Sequence, residues 1–241
     1  MIQRDDHCLF DLFAGEKRLA HLFTTRRFAE CAPPGIEGRR EMVMRLRETF
    51  LPGARAAAWG EQVHGRGVAL VGRGDGALVE KPGADALVTR EAGVCLVAFG
   101  ADCPIVFIAD TRTVAVGLVH SGRKGTEARV VTACLEKMGD AFGTSPADCL
   151  CAVSPSIGPC CYPVDLWARI EEELRALGAA RIENPRLCTA CNPALYFSYR
   201  RERGQCGRMV GALMIAQRHF TKELTPAAGL CYTLRAGRVK S

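Results

Sequence analysis

At 241 residues the chain can bury most of its apolar surface in one core without disulfide staples, and it sits at the upper end for a single domain. Apolar residues make up 48% and charged residues 24%, which excludes general disorder, and the longest strongly apolar stretch, residues 93–101, stops well short of the ~18–20 residues of a membrane span. The net charge of +6, a pI near 8.7 and scattered arginines argue against a nucleic-acid partner and suit a small anionic substrate.

Asp5 and Asp6 stand where a secretory signal would be basic, so a cytoplasmic protein with reduced thiols is expected. No repeat, low-complexity tract or linker divides the chain, and one domain over 1–241 is expected. Residues 30–36 read as a loop, followed by a helix from about Glu37 to Phe50 that Pro52-Gly53 ends. Short apolar runs then predict strands at Val68–Val71, Ala86–Thr89, Val94–Phe99, Ile105–Ala109 and Val114–His120. Several are apolar on both faces, as strands covered on both sides are.

Val131, Cys134, Leu135, Met138 and Phe142 recur at helical spacing and predict one helix from about Gly125 to Phe142. Cys149–Val153 reads as a strand, followed by a turn over residues 154–159. Leu166, Ile170, Leu174 and Leu177 mark one face of a second helix. Gly207–Phe220 reads as a third helix and Leu230–Leu234 as a last strand. Strands dominate the middle without regular alternation with helices, so the class is α+β with a mixed sheet or sandwich.

The thirteen cysteines are expected to be mostly core thiols, Cys95 and Cys134 among them. Three pairs stand apart: Cys149 with Cys151, Cys160 with Cys161, and Cys188 with Cys191. A zinc ribbon needs two C-x-x-C knuckles and only one is present; it runs into Asn192-Pro193, unlike a thioredoxin-type motif, which opens a helix. Neither cysteine-rich reading is favoured.

Reactive groups belong at strand ends, where loops hold them on a rigid frame. His64 stands beside Gly65 before a strand, Cys103 lies in the turn Ala101–Pro104, and His120 closes a strand. Two histidines and a cysteine suit zinc, and three protein ligands leave a fourth position open, as catalytic zinc sites do. The ligands are 39 and 17 residues apart, so only the fold can join them. The same residues also allow a metal-free Cys–His dyad with Cys103 as nucleophile, or hydrogen-bonded structural histidines. His7, His21 and His219 lack such placement.

Taken together, Gln62-Val63-His64-Gly65, Asp85-Ala86-Leu87-Val88-Thr89, Ala101-Asp102-Cys103-Pro104 and His120-Ser121-Gly122 resemble the bacterial YfiH/laccase-domain family, also called multicopper polyphenol oxidoreductase or peptidoglycan editing factor. The match continues through residues 156–162 and 197–201, and residues 21–26 resemble the family's opening segment. The resemblance implies a four-layer α-β-β-α sandwich with mixed sheets, similar to cytotoxic necrotizing factor-type Cys–His deamidases. It also implies a catalytic zinc on His64, Cys103 and His120, and a substrate site involving Gln62 and Lys124.

Activities associated with such proteins are phosphorolysis of purine nucleosides (adenosine, inosine, methylthioadenosine), adenosine deamination, removal of misplaced serine from a peptidoglycan precursor, and copper-dependent phenol oxidation. Zinc-dependent action on a purine nucleoside is the expectation. Copper is disfavoured because multicopper sites need more histidines than the five present. Phosphate as co-substrate would need a cradle, for which Arg26, Arg200 and Arg201 are the candidates. Neither nucleic acid nor membrane is an expected partner, and the oligomeric state is left open. The sequence departs from the family at Arg123, where a tryptophan is usual, at Pro163, often glutamate, and after Arg26, where a glycine-rich segment is missing.

Overall fold

The computed structural model describes residues 1–29 and 35–217. Thirteen strands and six helices are found among them, in the order β1 (Ile2–Gln3), β2 (His7–Leu9), α1 (Asp11–Ala14), β3 (Leu19–Thr24), α2 (Arg26–Ala29), α3 (Gly35–Phe50), β4 (Ala56–Gly60), β5 (Val68–Leu70), β6 (Leu78–Lys81), β7 (Ala86–Thr89), β8 (Val94–Gly100), β9 (Ile105–Asp110), β10 (Ala115–His120), α4 (Arg123–Glu127), α5 (Val130–Phe142), β11 (Cys149–Val153), α6 (Leu166–Ala176), β12 (Arg181–Glu183) and β13 (Met209–Ile215). The strands form two mixed sheets, β1-β2-β3-β13-β8-β4-β6 and β12-β11-β9-β10-β7-β5. The class is the expected mixture of helix with mixed sheets.

The sheets pack face to face, because alternate residues of β8, β9, β10 and β13 are buried on opposite faces. Phe107, Ile105, Leu118 and Leu96 share one core with residues of both sheets. On the outer side of the first sheet, Arg39 of α3 lies 5.4 Å over the Phe99 ring, and Met42, Val43 and Leu46 of the same helix join the core. On the outer side of the second, Cys134 and Met138 of α5 press on Gly117 of β10, where an added Cβ would meet both sulfurs within 3 Å. The result is a four-layer stack, helix, sheet, sheet, helix.

Three predicted elements need correction or bounds. The expected helix at 207–220 is instead β13, which lies between β3 and β8 in the centre of the first sheet. Its residues Met209–Ile215 are all buried, and a short run apolar on every side carries no periodicity that separates strand from helix. The helix expected over 125–142 is two helices, α4 and α5, broken at Arg129, whose φ is 60°. There β-branched Val130, Val131 and Thr132 begin a new helix, and Glu173 of α6 accepts from both the Thr132 N–H (2.8 Å) and its hydroxyl (2.7 Å). The strand predicted at 230–234, and His219, lie outside the described residues.

Topology positions the site. The three connections that leave the first sheet for the second among β4–β9 run through residues 61–67, 82–85 and 101–104. They carry His64, Asp85 and Cys103. In the second sheet His120 pairs with Ile105, and Val119 with Ala86, so the end of β10 is flanked by the residues just before β9 and β7. Four polar side chains, distant in sequence, thus meet at one end of the sandwich.

Candidate metal centre and substrate cleft

His64 Nε2 lies 3.9 Å from Cys103 Sγ, the two imidazole rings meet edge to face with centroids 4.9 Å apart, and the ligand atoms of His64, Cys103 and His120 all lie within 4.8 Å of one another. Asp85 organises this set. Its Oδ1 accepts from His120 Nδ1 (2.9 Å) and from the His64 backbone N–H (3.0 Å), and its Oδ2 accepts from the Gly65 N–H (2.7 Å). With Nδ1 held by a carboxylate, His120 keeps Nε2 for the centre, the usual arrangement behind a metal-binding histidine.

The backbone is strained around the centre. Gln62, His64 and Asp102 all adopt positive φ (60°, 62° and 84°), which side chains other than glycine rarely do. Each is held by specific bonds. Gln62 spends both ends of its amide on the Phe99 backbone, at 2.7 and 2.9 Å. Asp102 accepts from the Thr189 hydroxyl and from the Arg200 N–H, each at 2.7 Å, and its carbonyl accepts from the Ile157 N–H. Gly122 begins the approach to α4 so close to the centre that an added Cβ would come within 2.9 Å of both Cys103 Sγ and the His64 ring.

Electrostatics favour a thiolate. Burial would push the Cys103 thiol up, but hydrogen bonding to His120 and His64 outweighs it and brings the pKa down to about 6. Burial likewise opposes a proton on His120, yet Asp85 and the Cys103 sulfur raise its pKa to about 9. Asp85 stays below the usual carboxylate range: burial works against this, and His120 with the two N–H donors prevails. The donors also fit a metal. Zn–N and Zn–S bonds of ordinary length put tetrahedral ligand atoms about 3.3–3.6 Å apart, so only small adjustments separate this set from one that holds an ion.

The centre lines a cleft of about 640 Å³, within the range of small-molecule sites. Phe99, Tyr162 and Tyr199 supply aromatic wall, and Arg39, Arg123, Arg200, Arg203 and Arg208 supply cations. Of the three arginines expected to cradle an anion, only Arg200 lines it, with its guanidinium 5.3 Å over the Tyr162 ring. Arg26 is turned to Pro193 O (2.6 Å), Glu202 and the Phe197 ring, and Arg201 donates to Ala190 O (3.2 Å). Gln62 lines the cleft but is committed to Phe99, while Lys124 borders an adjoining depression with Val63, Arg123 and Glu127.

Sequence reasoning did not single out Asp85, Asp102, Arg39, Arg208 or the two tyrosines as site residues. Asp85 left a signal, a carboxylate opening an otherwise apolar strand. His7 and His21 are buried away from any ligand group among the described residues: His7 Nδ1 pairs with Asp6, and His21 Nε2 accepts from the Phe10 N–H at 2.9 Å.

Two stacked mixed sheets with a His-Cys-His centre at one end of the sandwich define a laccase-domain protein. The profile of the multi-copper polyphenol oxidoreductase laccase family matches residues 36–165 and 163–216, and the chain belongs to this family. It is 35% identical over 191 residues to "Purine nucleoside phosphorylase YlmD" of Geobacillus stearothermophilus, covering 62% of this chain and 69% of that protein. Over 179 residues it is 34% identical to "Purine nucleoside phosphorylase ORF3" of Streptomyces griseus, covering 64% and 72%. The crystal structure of YlmD from Geobacillus stearothermophilus superposes with a TM-score of 0.76 at 28% identity, over 90% of this chain and 99% of that one. The Bacillus licheniformis protein YfiH gives 0.74 at 24% identity, over 88% and 97%, a likeness of fold. Among the described residues no helix is long and apolar enough to cross a membrane.

Proposed function

We propose that the chain is a zinc-dependent purine nucleoside phosphorylase, acting on adenosine, inosine or methylthioadenosine, and that the same site can deaminate adenosine. The observation that carries the reading is the His64–Cys103–His120 centre in the wall of a cleft that offers both aromatic rings and guanidinium groups. The names of the relatives point to the same chemistry. Two imidazoles and one thiolate, with no further histidine in the group, suit zinc better than the histidine-rich sites of multicopper oxidases. When bound, zinc supplies a Lewis acid facing the cleft.

The chain's own residues do the remaining work. Asp85 fixes the His120 tautomer and, through two backbone N–H groups, the His64 loop. Tyr162 and Tyr199 offer faces on which a purine can stack, as bases do on aromatic side chains. Arg200, which lines the cleft, offers the paired donors that would hold a phosphate beside the ribose. In phosphorolysis a phosphate oxygen bonds to ribose C1′ as the glycosidic C–N bond breaks, and the base leaves with a proton.

The test is incubation of each nucleoside with and without phosphate, counting free base, pentose phosphate and inosine. Phosphate-dependent release of base is expected. Absence of turnover on every nucleoside, alongside hydrolysis of a seryl peptidoglycan precursor, would sink the proposal in favour of editing.

A second reading has one observation of its own: without metal, Cys103 at about 6 and His120 at about 9 form a thiolate–imidazolium pair able to act as a Cys–His hydrolase. Removal of metal by a chelator separates the two. Activity lost on chelation and regained with zinc supports the first, and activity that survives chelation supports the second.

A further inference from the structure

Outside the cleft, a second group of metal-ligating side chains comes together. Cys160, Cys161, Cys188 and Cys191 place their four Sγ atoms within 4.8 Å of one another, with Cys160 and Cys191 exposed and Cys188 buried. Cys191 Sγ lies 3.6 Å from Cys160 Sγ and 3.5 Å from Cys161 Sγ. One sulfur equidistant from two others singles out no disulfide pair, and sulfurs this far apart are unbonded, since a disulfide closes to about 2.05 Å. Sulfurs arranged around a shared centre suit one tetrahedral ion, whose thiolate ligands stand about 3.8 Å apart for Zn–S bonds near 2.3 Å.

The backbone supports such a site. The Gly158 N–H points at Cys188 Sγ at 3.3 Å, a donor that stabilises a thiolate. Gly158 O accepts from the N–H groups of Cys161 and Tyr162, which folds residues 158–162 into a tight turn presenting both vicinal cysteines. Ser156 and Cys188 form a parallel bridge, with Ser156 N–H donating to Leu187 O and Thr189 N–H to Ser156 O. Two segments about thirty residues apart are therefore held in register before any ion enters.

We propose that these four cysteines form a structural tetrathiolate zinc site, separate from the His64–Cys103–His120 centre. Binding releases the four thiol protons to solvent as four Zn–S bonds form, with no change of oxidation state. Four protein ligands close the coordination shell, so the site has no position for substrate. Its effect reaches the cleft through covalent neighbours. Tyr162 follows Cys161 and lines the cleft, and Thr189 follows Cys188 and donates to Asp102 in the loop that presents Cys103.

The test is elemental analysis of protein purified reduced and without added metal, for wild type, Cys103→Ala and Cys188→Ser/Cys191→Ser. About two zinc ions per chain are expected in wild type, and about one in each variant. A single zinc that remains in Cys103→Ala but is absent from the double variant would support the tetrathiolate site while overturning the zinc reading of the cleft. A single zinc lost from Cys103→Ala alone would overturn the tetrathiolate site, as would a disulfide among the four cysteines or iron in place of zinc. Should the double variant fail to fold, metal-free Cys103→Ala titrated with Co²⁺ provides the check. An intense thiolate-to-cobalt charge-transfer band with tetrahedral visible bands, saturating at one equivalent, is expected, and weak octahedral bands would overturn the proposal.

Discussion

The two sulfur-bearing groups of this chain are built in opposite ways. The cleft centre would draw its three ligands from two connections and from the end of β10, and it opens onto a cavity of about 640 Å³. The cysteine group would draw four ligands from two short turns, with Cys160 and Cys191 exposed and Cys188 buried. The first relies on a carboxylate behind its histidine, the second on the Gly158 N–H aimed at a sulfur. A centre meant for chemistry needs an open position and a placed neighbour to tune it, whereas a clip needs only a full shell.

Replacing one ligand at a time is the most direct way to break this contrast. Cys103→Ala should lower phosphorolysis on the order of 10³-fold, the scale on which a core member of a catalytic unit acts, with little change in melting temperature. Steady-state kinetics paired with thermal unfolding would check it, and a variant that lost stability but kept turnover would reverse the two roles.

Asp85→Asn tests whether orientation matters at the cleft. The amide can present an N–H to His120 Nδ1 and favour the wrong tautomer, so metal affinity should fall roughly 10–100-fold. Competition with a chromogenic chelator measures this, and unchanged affinity would remove Asp85 from its positioning role.

A histidine outside both groups sharpens the contrast from the other side. Burial pushes the His21 pKa down to about 4, and its Nε2 lone pair is committed to the Phe10 N–H. Because the folded value lies below the unfolded one of 6.5, the unfolded chain takes up the proton more readily. The stability present above pH 6.5 is therefore lost as pH falls toward 4. Between pH 7 and 4.5 this amounts to on the order of 2–3 kcal/mol. His21→Gln keeps an acceptor but cannot titrate, so denaturant unfolding across this range should show a shallower pH slope; equal slopes would exclude His21 as its source.

The smallest effect concerns the anion. Arg200→Lys keeps the charge and loses the fork, and should raise the KM for phosphate about tenfold while adenosine deamination changes far less. Arg201→Lys, whose guanidinium points to Ala190 O, should leave that KM within twofold of wild type. Parallel losses in both activities for Arg200→Lys would assign it to the nucleoside or to folding.

Much of this can be read from the sequence, and each element that cannot has its own physical reason. β7 to β11 are legible because each is a short apolar run bounded by turn residues, and α6 because its apolar residues recur at helical spacing. His64, Cys103 and His120 were legible as ligand types at strand ends. β13 reads as a helix from sequence because no glycine, proline or other turn residue ends the run after Ile215, and β4 is not singled out because three alanines and a tryptophan carry no alternation. The cysteine group does not show as two C-x-x-C knuckles, because a vicinal pair takes the place of one of them.

What the sequence determined by itself was therefore local: the short strands, the helix faces and the chemical kind of each ligand, all set by neighbours a few residues away. The tertiary structure decided what depends on register between distant segments. It placed Asp85 behind His120, turned Arg200 into the cleft and Arg26 and Arg201 away, and brought Cys160 and Cys161 to Cys188 and Cys191. The physical reason is that a hydrogen-bonded ladder fixes which residues lie side by side across a sheet, and a one-residue shift would send every side chain to the other face.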